Sequence, residues 1–396
     1  MITTTETTRF SQRIQDVPRS FIRDILKVAG ADNIISFAGG LPNKKFFPIN
    51  ELASCTQHVF SEHGQQALQY APTEGLPALR EKIAANYRQE GLDVKAEQIL
   101  ITTGSQQALD LIGKVFINRG DSVLIEEPAY LGAIQAFSMY APKFIPTELQ
   151  ADGINTDLFR HNSISYRPKL AYLVTNFQNP TGITYSEEKR KAIAEIAKKN
   201  NILLIEDNPY GQIKFTDDRH TSLYQYAPNH TILLGTFSKS VAPGFRIGWM
   251  VIPHKEMYSK IETAKQASDL HTDIFSQYII NQFLEDYGVE NHLTNIINAY
   301  RNQSESMLAS IKKHMPNVLV THPKGGMFCW VELPDGYSSM QLFNEAIKNN
   351  VAFVPGVPFY IGKKDVNTLR LNFSCSESAE IEKGIHKLAI AMDTLT

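Results

Sequence analysis

Three cysteines in 396 residues, Cys55, Cys329 and Cys375, are too few and too scattered to build a disulfide framework. None has C-x-x-C spacing, so they read as reduced thiols in a cytoplasmic protein. Neither sign of charge dominates: 39 Lys and Arg stand against 41 Asp and Glu, a formal net charge of −2. That leaves no basic excess to neutralise phosphates and argues against nucleic acid as a partner. No apolar run approaches the roughly 20 residues that span a bilayer, so no membrane is expected. The opening MITTTETTRFSQR is polar, without the apolar stretch of a secretory signal. Signature motifs are missing too. No G-x-G-x-x-G follows a strand, and there is no P-loop and no H-E-x-x-H. These absences argue against a nicotinamide dehydrogenase, a nucleotide hydrolase and a zinc protease, and no metal site is expected.

What is there is an ordinary globular composition, 43% hydrophobic and 20% charged, in a chain too long for one core. From about residue 50, apolar runs alternate with amphipathic helices. Strands are expected at 98–104, 122–128, 168–180, 202–210, 231–238 and 248–252. Helices are expected at 75–92, 105–117 and 187–201. Such alternation predicts buried, largely parallel strands with crossover helices. Long helices are expected over 255–285 and 287–315. Short strands, a helix at 339–349 and a closing helix from about 376 then make a compact α+β unit. An earlier helix is expected at 20–29. The expected architecture is α/β, a large doubly wound, mostly parallel sheet domain over 50–290. A smaller α+β domain would be made by 291–396 with part of an N-terminal segment, 1–49.

In open α/β sheets, ligands bind beyond the carboxyl ends of the strands. Gly104, Ser105 and Gln106 stand at that rim, opening a helix. Tyr130, Asn179, Asp207 and Tyr210 follow other strands. After TILLGTF come Ser238 and Lys239, and Arg246 comes beyond a Pro-Gly turn. Each has an ordinary structural reading alone: a cap, a turn, a packed ring, a lysine reaching solvent. Ordinary readings do not predict all of them at one rim.

One cofactor calls for the whole set. A phosphate needs helix-start N–H groups and a cation, which Gly104–Gln106 and Arg246 offer. A flat heteroaromatic ring needs a face to stack on, and Tyr130 suits it. A protonated pyridine nitrogen needs an anion, Asp207; a ring hydroxyl needs donors, Asn179 and Tyr210; an aldehyde needs an amine, Lys239. That cofactor is pyridoxal 5′-phosphate.

The motifs YAPTEGLPALREKIA (70–84), TTGSQQAL (102–109), NPTG (179–182), DNPY (207–210), SKSVAPGFRIGW (238–249), GGMFCWVEL (325–333) and LRLNFS (369–374) resemble those of fold-type I pyridoxal-phosphate aminotransferases of class I and II. Their order covers the chain from about residue 30 onward. The segments SFIRDILK and IISFAGGLPNKKFFP resemble the 2-aminoadipate/kynurenine aminotransferase branch. The resemblance implies transfer of an amino group from an L-amino acid such as glutamate, 2-aminoadipate, an aromatic or a branched donor to a 2-oxo acid. It implies that Lys239 bonds the cofactor aldehyde and that Asp207 pairs with the ring nitrogen. Asn179 and Tyr210 would contact the ring hydroxyl, and Tyr130 would stack on the ring. Ser105, Gln106, Ser238, Arg246 and Thr236 would hold the phosphate. Tyr70 would reach the phosphate of a neighbouring subunit, so a homodimer is implied. Arg370 would grip the substrate α-carboxylate, with Gly40 close to the substrate. Arg23 would select acidic side chains, although a solvated helix arginine is an equal reading. A C–S lyase on the same scaffold would share Lys239, Asp207 and Arg246. A regulator's ligand-sensing domain would need a DNA-binding segment longer than residues 1–30.

Overall fold

The computed structural model describes residues 10–15, 17, 25, 33–363 and 365–395. The helix expected at 20–29, and Arg23 on it, lie outside the described residues apart from Ile25.

After the two-residue strand β1 (Ile35–Ser36), the chain lays down β2 (Ile99–Thr103), β3 (Ser122–Glu127), β4 (Lys143–Gln150), β5 (Gly153–Ile154), β6 (Leu170–Leu173), β7 (Leu203–Asp207), β8 (Thr231–Thr236) and β9 (Ile247–Val251). These last eight form one sheet in the order β2-β9-β8-β7-β6-β3-β4-β5. The run β8-β7-β6-β3-β4 is parallel, and β9 runs antiparallel to both its neighbours.

Period-two alternation sends side chains to opposite faces of this sheet. Val123, Ile125, Tyr172, Ile205 and Leu234 pack with the helices Gly104–Phe116 and Leu131–Ser138. Leu124, Ala171, Leu173 and Leu204 pack with Glu187–Asn200, and Ile99, Ile101 and Val251 with Pro77–Gln89 and Ile274–Asp286. With helices on both faces the sheet is doubly wound and mostly parallel, as the sequence predicts. Each fully buried Leu or Ile here contributes ~1.5–3 kcal/mol.

A second sheet joins β10 (Leu319–Val320), β11 (Phe328–Glu332), β14 (Thr368–Asn372) and β13 (Val354–Pro355), in that order, all antiparallel. Strand β12 (Val351–Ala352) pairs instead with β1, in parallel. The helices Glu290–His314 and Ser378–Asp393 pack onto this part of the chain.

Three expectations need correction. The strand expected over 168–180 stops at Leu173. Beyond it Val174 N–H donates to a side chain, Glu126 Oε1, and Phe177 takes a left-handed φ of 51°. Strands β4 and β5 fall where no strand was expected. Pro146 and half-exposed alternation disguise β4, which lies near the sheet edge where proline is tolerated. The long helix expected over 255–285 is two, Lys255–Asp269 and Ile274–Asp286. Leu270 turns the chain with φ 64°, and Asp273 caps the second helix by accepting from Ser276 N–H.

Candidate active site

Most of the rim residues converge. Asp207 ends β7 and is 2% exposed. Its Oδ2 accepts from Tyr172 Oη at 2.7 Å, whereas Oδ1 is buried and has no partner among the described residues. Burial pushes this carboxyl up to about 6, against the pull of the Tyr172 hydroxyl.

Lys239 lies three residues beyond β8, half-buried, and its Nζ donates to Gly40 O at 2.9 Å. Burial, then the Arg370 and Arg246 cations, lower its pKa to about 8. A Cβ on Gly40 would stand 3.2 Å from Phe328 Cζ, so the Gly40 segment runs close against the β11 ring.

Arg370, in the middle of β14, is 2% exposed. Nη1 donates to Asn179 Oδ1 at 2.8 Å and Nη2 to Ala38 O at 2.7 Å, while Nε is buried and has no partner among the described residues. The guanidinium carbon is 4.4 Å from the centre of the Phe328 ring and 5.3 Å from that of Phe359. Burial lowers its pKa to about 10, above any working pH, so a buried cation with a spare donor stands ready for an anion. Asn179 also donates weakly to Tyr210 Oη, at 3.4 Å, and Tyr210 sets its ring edge-on to Phe328.

The other end of the rim is more open. Ser105 and Gln106 lie in the first turn of the helix Gly104–Phe116, where N–H groups have no partner within the helix. Arg246 follows the Pro243–Phe245 turn with φ 56°. Its guanidinium covers Gly104 so closely that a Cβ there would meet Nη2 at 2.4 Å. Thr236 Oγ1 lies 2.9 Å from Ser238 Oγ and accepts from Ser238 N–H. Gln106 Nε2 donates to Gly132 O, tying this helix to the next. Tyr130 stands at the N-cap position of that next helix without a side-chain capping bond, and its ring occupies the space a Cβ on Gly132 would need.

Tyr70 is not brought into this group. It is 80% exposed, with its ring edge-on to His271. Arg23 lies outside the described residues. Two contributors went unnoticed in the sequence, Tyr172 and the Phe328–Phe359 pair around Arg370. A tyrosine in the buried run LAYL did carry a signal, because its hydroxyl needs a partner.

These groups fit pyridoxal 5′-phosphate. The orphaned Oδ1 of Asp207 is a buried acceptor awaiting a donor such as a ring N–H. Lys239 is an amine of lowered pKa, Arg370 has a free donor for a carboxylate, and Arg246 sits over a helix start suited to a phosphate.

Comparison with known proteins agrees. Residues 39–388 match the family of class I and II aminotransferases. The chain is 39% identical to the aromatic-amino-acid aminotransferase 1 of Thermococcus litoralis, covering 96% of this chain and 93% of that one. It is 39% identical to the 2-aminoadipate transaminase of Thermus thermophilus, covering 96% and 95%. It superposes with a TM-score of 0.91 on the α-aminoadipate aminotransferase of Thermus thermophilus complexed with N-(5′-phosphopyridoxyl)-L-leucine, at 38% identity over 98% of this chain and 97% of that one.

Proposed function

Because the chain belongs to the class I and II aminotransferases, with pyridoxal 5′-phosphate as cofactor, we propose that it moves the amino group of an L-amino acid to a 2-oxo acid such as 2-oxoglutarate by a ping-pong mechanism. The donors are glutamate, 2-aminoadipate and aromatic or branched amino acids. Relatives named for aromatic amino acids and 2-aminoadipate, and a structural neighbour holding a leucine adduct, support that range.

The observation that carries this reading is the Oδ1 of Asp207, a buried carboxylate oxygen without a partner among the described residues, on a carboxylate whose other oxygen is held by Tyr172. When bound, the cofactor supplies an aldehyde that condenses with amines and a ring that accepts an electron pair. Asp207 would hold a proton on the ring nitrogen through Oδ1, while Tyr172 fixes the carboxylate through Oδ2. Lys239 Nζ takes the substrate α-proton and returns it. A pKa near 8 leaves a useful fraction of the amine neutral at neutral pH. Arg370 orients the substrate through its α-carboxylate, and the two phenylalanine rings keep water from the guanidinium. Asn179 couples Arg370 to Tyr210, and Asn179 and Tyr210 would contact the ring hydroxyl. Tyr130 stacks on the ring. Ser105, Gln106, Thr236, Ser238 and Arg246 would hold the phosphate, and Gly40 would border the substrate.

The working unit is a homodimer in the cytoplasm, with Tyr70 completing the neighbouring site. Its 80% exposure in one chain suits a residue offered to a partner. Arg23 selects acidic side chains, and Arg23→Ala should shift preference from glutamate towards leucine.

The test is the visible absorption of the purified protein during titration with single amino acids. Glutamate should bleach the yellow band and 2-oxoglutarate restore it, with the rank order of donors giving the substrate class. Pyruvate and ammonia formed without any acceptor would overturn transamination in favour of a lyase.

A further inference from the structure

We propose that Lys265, Asp269, Gln107 and Thr272 form a partly buried strut that fixes the start of the helix Gly104–Phe116, making Gln107 and Lys265 positioning residues for the cofactor phosphate. The inference rests on the assignment of Ser105, Gln106 and Arg246 to that phosphate.

Lys265 is 0% exposed, in the helix Lys255–Asp269. Its Nζ donates to Asp269 Oδ1 at 2.8 Å, to Oδ2 at 2.9 Å and to Thr272 Oγ1 at 2.9 Å, and lies 3.3 Å from Gln107 Oε1. Gln107 faces two ways. Its Nε2 donates to Asp269 Oδ2 at 2.6 Å, and its Oε1 accepts from Thr103 N–H at 2.8 Å. Thr103 is the last residue of β2 and the cap of the helix.

The strut therefore grips the hinge from which Gly104, Ser105 and Gln106 depart. It also occupies the Thr103 N–H, so that this donor is not among those turned to an anion. Gly104 has φ +69° and no space for a Cβ beneath Arg246, so this turn has one workable course. An ion pair with one partner fully buried and the other a quarter exposed is a poor source of stability, since desolvation of the buried charge offsets the attraction. What it supplies is a set geometry. Asp269 and Thr272 also bracket Leu270, where the expected long helix breaks, so the break and the strut are one feature.

The network runs further. Thr272 O accepts from Gln277 Nε2 at 3.0 Å, and Gln277 Oε1 accepts from Leu76 N–H at 2.8 Å. A Cβ at Gly75 would lie 2.4 Å from Ile101 Cγ1. The segment that follows Tyr70 is thereby held to the strand that leads into the helix start.

The experiment compares cofactor-free protein binding pyridoxal 5′-phosphate with the same protein binding pyridoxal, which lacks the phosphate. Gln107→Met keeps the Lys265–Asp269 pair and removes the acceptor of the Thr103 N–H, leaving only the longer contacts of Thr103 Oγ1 with Asp269 Oδ2 at 3.3 Å and Thr272 Oγ1 at 3.4 Å. It should weaken pyridoxal 5′-phosphate binding by about tenfold, because small misplacements of a preorganised site are costly. Pyridoxal binding should change less than about twofold, since the strut acts at the phosphate end. Lys265→Met should do the same more strongly, and Thr272→Val decides alongside Gln107→Met if Lys265→Met does not fold. A lowered melting temperature with an unchanged affinity ratio would show a structural role only and overturn the proposal. Arg246→Ala is the control. If it collapses the ratio and Gln107→Met does not, the strut is wrong; if Arg246→Ala leaves the ratio unchanged, the phosphate assignment fails and the strut falls with it.

Discussion

Arg370, from the antiparallel sheet, and Arg246, from the rim of the large sheet, stand at two ends of one site in opposite surroundings. Arg370 is 2% exposed between two phenylalanine rings, with both Nη atoms committed to neighbours. Arg246 is exposed and covers a glycine at a helix start. The buried end is organised by hydrogen bonds among desolvated groups: Tyr172 to Asp207, Arg370 to Asn179, Asn179 to Tyr210. The open end is organised by backbone, through a turn, two glycines and a helix start. A dry site multiplies the effect of each charge, so chemistry belongs at the buried end. A solvated anion needs only a cradle, and anchoring belongs at the open end.

Substitutions can break this division of labour, and the largest effect is at Lys239. On the proposed mechanism Lys239→Ala removes both the covalent partner and the base, so kcat should fall by more than roughly 10⁴-fold. Single-turnover assays with saturating cofactor measure this, and an active variant would mean Lys239 is a structural lysine. Arg370→Lys comes next. Losing the planar fork should lower kcat/KM for every amino donor by about 10²- to 10³-fold, with cofactor affinity unchanged. Arg246→Ala should do the converse. Cofactor affinity should fall by roughly 10- to 100-fold, while excess cofactor brings kcat back to within a few-fold. If either arginine variant shows the other's pattern, the contrast between the two ends is mistaken.

The same contrast marks what was legible in the sequence. Backbone features at the open end announce themselves through turn residues. Gly104-Ser105, Pro243-Gly244 and the helix start follow apolar strands, and they stand where the spacing predicts. Asp207 was also legible, because it is an acid at the end of an apolar strand-like run, whereas Arg370 was reached only through the resemblance of LRLNFS to the family motif. Their partners were not legible. Tyr172 is 35 residues from Asp207 in sequence and reads as one more core residue. Lys265 reads as the polar side of a helix, yet it is fully buried against Gln107, 158 residues away. Periodicity reports which face a residue occupies. It carries no information on which distant hydrogen bond completes that residue, and the break at Leu270 was missed for that reason.

The smallest expected effect concerns stability and sharpens the comparison from the buried side. Asp207 has its pKa raised from an ordinary 3.8 to about 6 by burial. Between those values the folded cofactor-free protein keeps a proton that the unfolded chain has released. Stability therefore falls as pH rises through that window, and the full penalty holds above about pH 6. A shift of this size corresponds to a ceiling of about 3 kcal/mol. Asp207→Asn keeps an acceptor for the Tyr172 hydroxyl and removes the charge. It should stabilise the cofactor-free protein by about 1–3 kcal/mol at pH 7.5, seen as a rise of a few degrees in Tm, and the gain should shrink as pH falls towards 4. The same variant should turn over about 10²- to 10³-fold more slowly with cofactor bound, because the ring nitrogen loses its anion. Arg246→Ala, in the solvated half, should leave the Tm of the cofactor-free protein within about 1 °C. Calorimetry of the two variants without cofactor makes the measurement. A Tm for Asp207→Asn equal to or below the parent at pH 7.5 would show that Oδ1 is satisfied without the cofactor, and that the buried end is not strained to receive it.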